Sequence, residues 1–389
     1  MKILHLATFL QGGAGRAIVD LIREQHAAGH HVTVVASGRG APGYGNYQAY
    51  LDELADLPVN VRLVDSMFER MHAPNLAVVR ALDQMFPPGH EPEVLHAHAA
   101  IPSLVGLLFA GARRPRIAVL QTMHGWGLVK ASDQVATDVS VLNLVDRVVV
   151  PSAHSARMLV ALGVSAARIS MVPYGVRFDA RGVTADDRET LVAMTRARQE
   201  GALVIACVGT FGARKNQTLL VDAVGRLRNL PLLCVFIGDG DQHDLRAAID
   251  THRCGDRVLV HGYSRGARQL AAAADLLVLP SRSEGQPVAV LEAFCDGTLV
   301  VVSDIDELVE LVDDGLVGFT FRSDDADALS STLRNVARLP ESTLRTIRHR
   351  ARARHAARFT VPAMAVGYAE IYRTLLNAVD ERRREFPAA

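Results

Sequence analysis

The feature that most limits how this chain can fold is a rhythm: short apolar runs alternate with helical patterns from one end to the other. In the first half such runs fall at 2–8, 31–36, 60–65, 93–98, 117–123, 147–151 and 169–173. In the second half they fall at 203–209, 232–238, 257–261, 275–280 and 299–304. Val, Ile and Leu occupy both alternating positions of each run, as in strands buried on two faces. Helices between successive strands are the signature of parallel, doubly wound sheets. So many strands exceed one sheet, and the pattern restarts at Leu203. A chain of 389 residues divided by roughly 150 residues per domain also gives two domains, each with its own core. The expected architecture is α/β, with two Rossmann-like doubly wound domains at 1–175 and 176–360. Their boundary is expected in the turn-rich stretch from Pro173-Tyr174-Gly175 to Gly182.

Charge narrows the function classes. Lysine and arginine number 42 and aspartate and glutamate 42, a formal net charge of +0, which argues against a nucleic-acid partner held by bulk charge. Cys207, Cys234, Cys254 and Cys295 are scattered and suit neither a disulfide framework nor a paired-cysteine metal site. Met1 to Thr8 reads as a strand that runs straight into a glycine loop, so no leader is expected. No run of about 18 uninterrupted apolar residues is present to span a bilayer. The expected location is the cytoplasm, or at most the periphery of its membrane.

Ligands of doubly wound sheets bind beyond the carboxyl ends of the strands, so the residues that end each strand carry the argument. The first strand ends in Gln11-Gly12-Gly13-Ala14-Gly15-Arg16, where glycines admit a close ligand and a following helix N-terminus attracts an anion. A dinucleotide site fits poorly. Ile18 stands where a third Gly or Ala is expected, and Ala36-Ser37-Gly38 offers no acidic residue to a ribose. His96 and His98 share one face of a strand, but no third metal ligand is near in sequence, and no metal is expected. Gln121-Thr122-Met123-His124-Gly125 aims His124 toward the same region.

The second half carries stronger signals. Val208-Gly209-Thr210-Phe211-Gly212-Ala213-Arg214-Lys215-Asn216 places two adjacent cations over a glycine turn, a diphosphate clamp in outline. Only Lys2, Lys130 and Lys215 are lysines in a chain rich in arginine, so a lysine at this turn is informative. Then comes Pro280-Ser281-Arg282-Ser283-Glu284-Gly285-Gln286-Pro287-Val288, with Pro287 expected at the first helical position. Glu284 would stand beside the helix N-terminus and Glu292 one and a half turns in, with backbone N–H groups between them for phosphate or sugar oxygens.

These motifs together resemble the retaining glycosyltransferases of family four, which have the GT-B fold. The resemblance runs through the Gly12–Gly15 segment, His96/His98, Thr122-Met123-His124-Gly125, Val150-Pro151-Ser152 and Val172-Pro173-Tyr174-Gly175-Val176. It continues through Gly209 with Lys215-Asn216, Gly238-Asp239-Gly240, and Glu284-x7-Glu292, the most specific of the set. It implies two domains facing a cleft and a C-terminal helix, 361–389, that crosses back to the first. By the same resemblance Glu292 holds the ribose hydroxyls, Glu284 the donor sugar and Lys215 the diphosphate. Gly13, with Gly15 and Arg16 beside it, approaches the diphosphate, His124 lies by the reacting sugar, and backbone near His261 reads the base. Gly285, Gln286, Pro287 and Val288 complete the nucleotide-sugar site.

The implied activity is metal-independent, cofactor-free transfer of a hexose, with retention, from a nucleoside-diphosphate sugar to a hydroxyl acceptor. UDP-hexose is favoured over GDP-mannose as donor, and surface-polysaccharide or glycolipid assembly is the implied setting. The alternatives are a catalytically degenerate sugar-nucleotide-binding protein and a nicotinamide-dependent oxidoreductase. Three positions depart from the family pattern: Thr210 replaces an arginine, Tyr174 an asparagine and Arg177 an aspartate. Arg214, then Arg16, are the candidates to replace the missing positive charge. The closing helix, 364–386, should bury Tyr368, Ile371, Tyr372, Leu375, Leu376 and Val379, and its Arg382-Arg383-Arg384 end could meet anionic lipid.

Overall fold

The computed structural model describes residues 1–385 except 42, 112, 114–116, 128 and 179–182. Gly182, the far end of the expected boundary, and Phe386, the end of the expected closing helix, lie outside the described residues, as do the side chains of Arg382, Arg383 and Arg384. The chain forms two compact units, one of Met1–Gly175 with Val361–Ala389 and one of Val176–Thr360.

The first unit runs β1 (Lys2–Leu6), α1 (Gly12–Ala27), β2 (His31–Ser37), α2 (Gln48–Ala55), β3 (Asn60–Val64), α3 (His72–Met85) and β4 (Val94–Ala97). It continues with α4 (Ala100–Gly111), β5 (Ala118–Thr122), α5 (Ser132–Leu144), β6 (Arg147–Val150), α6 (Ala153–Ala161) and β7 (Ile169–Met171). All seven strands are parallel, in the order β3-β2-β1-β4-β5-β6-β7.

The second unit runs α7 (Ala185–Gln199), β8 (Leu203–Val208), α8 (Gln217–Arg226), β9 (Leu232–Ile237), α9 (His243–His252), β10 (Val258–Gly262), α10 (Ala267–Ala272) and β11 (Leu276–Leu279). It ends with α11 (Val288–Asp296), β12 (Leu299–Ser303), α12 (Asp306–Leu311), β13 (Phe319–Phe321), α13 (Ala326–Val336) and α14 (Glu341–Arg358). Its six parallel strands lie in the order β10-β9-β8-β11-β12-β13. Two Rossmann-like units are therefore present, as the alternation of runs requires.

The remaining helix, α15 (Val361–Glu385), belongs to the first unit. Its face of Met364, Tyr368, Tyr372, Leu375 and Val379 is buried with Ile3, Val94, Leu120 and Val149 of the first sheet. Ile371 and Leu376 pack at the edge of that cluster. β13 has no counterpart among the expected strands, because three residues after Gly318 are too few to show a period.

In both units the order of strands reverses beside the first strand of the sheet, at β1/β4 and at β8/β11. Crevices at the carboxyl ends of such switch points are where open α/β sheets hold ligands.

Candidate active site

In the second unit, the chain leaves β8 through Gly209, whose φ of +148° suits glycine alone. A Cβ there would also meet Lys215 Cε at 3.0 Å, because the lysine stem lies across it. The turn then closes as the Lys215 and Asn216 N–H groups both donate to Gly212 O, each at 3.0 Å. Lys215 Nζ donates to Glu284 Oε1 at 2.5 Å, while Arg214 Nη1 donates to Glu284 Oε2 at 3.2 Å and to Ser283 O at 3.1 Å. The two loops are tied by Arg282 N–H donating to Arg214 O at 2.9 Å. Thr210 is exposed beside them.

The carboxylate of Glu284 is 5% exposed, Lys215 14% and Arg214 43%. Burial would push the Glu284 carboxyl up, but Lys215 and Arg214 outweigh it and hold the group below the ordinary carboxylate range. Two cations meet one carboxylate here, while a second carboxylate, Glu307, accepts from the Glu284 N–H at 3.4 Å; beside them α11 leaves its first backbone N–H groups without intrahelical partners. Such a place can take a phosphate. Cys207 beneath it is no nucleophile: burial, opposed by Lys215, pushes its thiol up to about 12.

Pro287 is the N-cap residue, with ψ of 109°, and Val288 is the first helical residue, so the helix starts one position later than expected. Gln286 is buried and Gly285 half-buried in the loop ahead of it. Glu292 is half-buried on α11, within the field of Arg268, a guanidinium that Asp296 holds at 2.7 and 2.8 Å. The His261 ring turns onto α7, with Nδ1 2.8 Å from Thr190 Oγ1 and Nε2 3.0 Å from Asp187 Oδ1. Only its backbone remains at the end of β10 for a ligand.

The first unit corrects the reading of the glycine segment. Gly12 to Gly15 are the first turn of α1 rather than a loop ahead of it. Gly13 is exposed there, whereas Gly15 is a packing glycine: a Cβ would fall 2.6 Å from the Leu10 carbonyl carbon. Arg16, expected at the diphosphate, is buried instead. It donates to Asp20 through Nε and Nη2 at 2.9 Å each and to Glu53 through Nη1 at 2.8 and 2.9 Å, and it lies over the Tyr50 ring. Position i+4 on one helix puts Asp20 directly beneath it, which is why the charge turns inward.

His5 supplies what the His96/His98 pair lacked in sequence. It sits in register with His96 across β1 and β4, and ring nitrogens of His5, His96 and His98 lie within 4.8 Å of one another. That spacing could hold a metal ion. Each nitrogen already has a hydrogen-bond partner, however: His5 Nδ1 is 2.9 Å from His98 Nε2, and His98 Nδ1 is 3.0 Å from His124 Nε2. His124 Nδ1 in turn is 2.6 Å from the Tyr174 hydroxyl. Burial brings His5 and His124 down to about 4 and His96 and His98 well below their ordinary value, so all four rings are neutral at pH 7.

Next to this chain is a cavity of about 360 Å³ at the carboxyl ends of β1, β4 and β5, walled by Arg70, His98, His124, Trp126, Lys130 and Asp138. Asp138 accepts from Arg70 at 2.6 Å and from Lys130 at 2.5 Å, and the lysine also stands over the Trp126 ring, 3.7 Å from its centroid. None of Arg70, Trp126, Lys130 and Asp138 stands in a motif. The scarcity of lysine and the single tryptophan were the available signals.

Comparison with known proteins decides what these sites belong to. The Glycosyltransferase Family 4 domain matches residues 11–180, and the glycosyl transferases group 1 domain matches residues 202–338. The D-inositol 3-phosphate glycosyltransferase of Nocardia farcinica is 30% identical over 318 residues, covering 73% of this chain and 67% of the relative. The chain belongs to glycosyltransferase family 4. The enzyme of the same name from Mycolicibacterium gilvum is 29% identical over 307 residues, 72% of this chain and 67% of that one. The fold is likewise that of Anabaena HepE, solved in complex with UDP-glucose: TM-score 0.79, 20% identity, covering 96% of this chain and 100% of HepE. The protein is thus a GT-B glycosyltransferase, and a nicotinamide oxidoreductase is set aside.

Two of the departures acquire a place in this glycosyltransferase. Tyr174 is buried with its hydroxyl on His124, and the Arg177 carbonyl accepts from Arg268. No helix among the described residues is long and apolar enough to cross a membrane.

Proposed function

We propose that this glycosyltransferase moves a hexose from a UDP-sugar to a hydroxyl acceptor, with retention and without a metal. The observation that carries the reading is the Gly209–Arg214–Lys215–Glu284 cluster at the carboxyl ends of β8 and β11. A diphosphate arriving there competes for the two cations that hold Glu284. Lys215 and Arg214 then neutralise the phosphates, and Glu284, released as an acceptor, takes the donor sugar's hydroxyls. Glu292 accepts from the ribose, and backbone at His261, Gly285, Gln286 and Val288 surrounds the nucleotide. The second unit, 176–360, is accordingly assigned to the donor.

Transfer breaks the bond from the sugar's anomeric carbon to the diphosphate and forms one to the acceptor oxygen on the same face. The leaving phosphate oxygen takes the acceptor's hydroxyl proton, so no protein nucleophile is needed. Preorganised cations aimed at the developing phosphate charge are the main source of rate in such a step. The first unit is assigned to the acceptor through the cavity beside Trp126, with His124 in its wall assigned to the reacting sugar and the exposed Gly13 at the start of α1 to an anion. Relatives named for D-inositol 3-phosphate make a phosphorylated polyol the first acceptor to try, followed by glycolipid and saccharide acceptors, including those presented at a membrane surface.

The test is donor hydrolysis across UDP-, GDP- and ADP-sugars in excess EDTA. UDP-hexose should turn over fastest, with no loss to the chelator. Turnover that vanishes with EDTA and returns with magnesium or manganese overturns the metal-free mechanism and makes the histidine trio a metal site. Binding of UDP with no turnover of any donor leaves a binding protein.

A further inference from the structure

The histidines of the first unit belong to one longer buried chain. Beyond His5 it continues as His5 Nε2 2.8 Å from Gln25 Oε1, and Gln25 Nε2 donates to the Tyr372 hydroxyl at 3.0 Å. The Tyr372 hydroxyl is 2.8 Å from His96 Nδ1, His96 Nε2 is 2.7 Å from Thr122 Oγ1, and Thr122 Oγ1 is 2.8 Å from the Tyr368 hydroxyl. From Tyr174 to Tyr368, each link joins groups that give or take one proton.

Each neutral imidazole has one N–H and one lone pair, so fixing any single link fixes the others from His5 through His98 to His124, and a hydroxyl passes the direction on as long as its proton stays within the line. The asymmetric member is Gln25, whose two amide ends are not interchangeable. Oε1 can only accept, so His5 carries its proton on Nε2 and accepts at Nδ1. His98 Nε2 must then donate to His5, and His124 Nε2 to His98. His124 Nδ1 is left as a lone pair, and Tyr174 donates to it. On the other arm Gln25 donates to Tyr372, Tyr372 to His96 Nδ1, and His96 Nε2 to Thr122. Turn the amide over and every bond reverses: His124 would donate from Nδ1, and the Tyr174 proton would need another acceptor.

We propose that Gln25 is a positioning residue for His124, 99 positions away in sequence, and that its amide direction dictates which ring nitrogen of His124 bears the proton. The proposed function enters only in placing His124 at the reacting sugar. The polarity has a consequence at the strand ends, since it determines whether the Tyr174 hydroxyl proton is spent inside the chain or turned outward.

Long-range proton–nitrogen correlation spectra of the full chain labelled with ¹⁵N-histidine at pH 8 test this without reference to turnover. His5, His96, His98 and His124 should all appear as the Nε2–H tautomer. A His124 found as Nδ1–H, or as a mixture, overturns the proposal, as does stoichiometric metal on the same nitrogens in the purified protein. Gln25→Met removes both amide ends at similar volume and should turn the single His124 tautomer into a mixture; an unchanged His124 means that Gln25 is only packing. Gln25→Glu, as a carboxylate, accepts on both sides. It should keep His124 as Nε2–H while switching His96 to Nδ1–H, because Tyr372 then donates to residue 25 and must accept from His96. A His96 that fails to switch counts against the mechanism. Failure of these spectra leaves the proposed donor chemistry standing, and failure of donor hydrolysis leaves the tautomer assignment standing.

Discussion

The two sheets share one strand order, yet their switch points are furnished in opposite ways. At β1/β4 the buried polar groups are neutral: four imidazoles, three tyrosines, a glutamine and a threonine that satisfy one another along a line. At β8/β11 they are ionic, with Lys215 and Arg214 converging on Glu284. A neutral line whose members satisfy one another has little to give up to a ligand without breaking a bond, which favours a rigid wall. The ionic cluster is different, because on the proposed reading a diphosphate can compete with Glu284 for Lys215 and Arg214 through charge-assisted hydrogen bonds. On that reading one switch point holds shape and the other trades contacts.

The contrast can be broken most decisively at Lys215. Lys215→Ala should lower donor turnover by roughly 10³-fold and Arg214→Ala by roughly 10²-fold, since on the proposed reading each removes a preorganised charge from the leaving group. A Thr210→Arg change should recover part of the second loss, and single-turnover kinetics would show it. Wild-type rates in Arg214→Ala would leave Lys215 and the helix end as the whole clamp.

Glu292→Ala should cost about 10- to 100-fold in nucleotide affinity, the worth of one charged hydrogen bond of roughly 1.5–3 kcal/mol. Calorimetry with UDP measures it, and an unchanged affinity would remove Glu292 from the ribose.

Acid separates the two sites by their pH windows. His5 and His124 titrate near 4 when folded against an ordinary 6.5, so the unfolded chain takes up their protons first as pH falls. The stability that the neutral chain lends is whole above about pH 6.5 and drains away toward pH 4, by up to ~1.4 kcal/mol per pH unit for each ring. Glu284, depressed when folded, lends stability above the ordinary carboxylate value of 4.5 and loses it only as pH falls through its lower folded value. Urea unfolding followed by tryptophan fluorescence, with Trp126 reporting on the first unit alone, should therefore weaken well before pH 4.5. A flat profile between pH 6.5 and 4.5 would mean that the rings ionise freely.

The smallest effect should come from Tyr174→Phe, which leaves the buried Nδ1 of His124 without its donor. It should cost about 1–3 kcal/mol in equilibrium unfolding.

How far the sequence speaks depends on whether a feature is local. Twelve of the thirteen strands among the described residues show in the apolar runs to within a residue or two, because burial on both faces writes itself into consecutive positions. Lys215 and Glu284 were expected in the loops that follow two strands of one parallel sheet, and such loops converge, as the 2.5 Å contact between them shows. The neutral chain was not. His5 is one histidine in an apolar run, Gln25 one polar residue in an amphipathic helix, and Tyr372 reads as core, until β1 and β4 pair in register and α15 covers them. Arg16 misled for a mixed reason: read as part of a glycine loop it faces a ligand, but with Gly12–Gly15 in the first turn of α1 it meets Asp20 one turn on, and Glu53 arrives from α2, which spacing does not foretell.

The return of α15 to the first unit bears on how the protein is made. On a ribosome the amino-terminal strands emerge long before α15, and the whole of Val176–Thr360 is synthesised in between. At ~5–20 residues per second, the roughly 200 residues involved take on the order of 10–40 s. Throughout that interval the nascent amino-terminal sheet has one face bare of Tyr368, Tyr372, Leu375 and Val379, and His96 lacks its hydroxyl partner from Tyr372. The amino-terminal unit is thus begun before the second unit is made and completed only after it, when α15 docks.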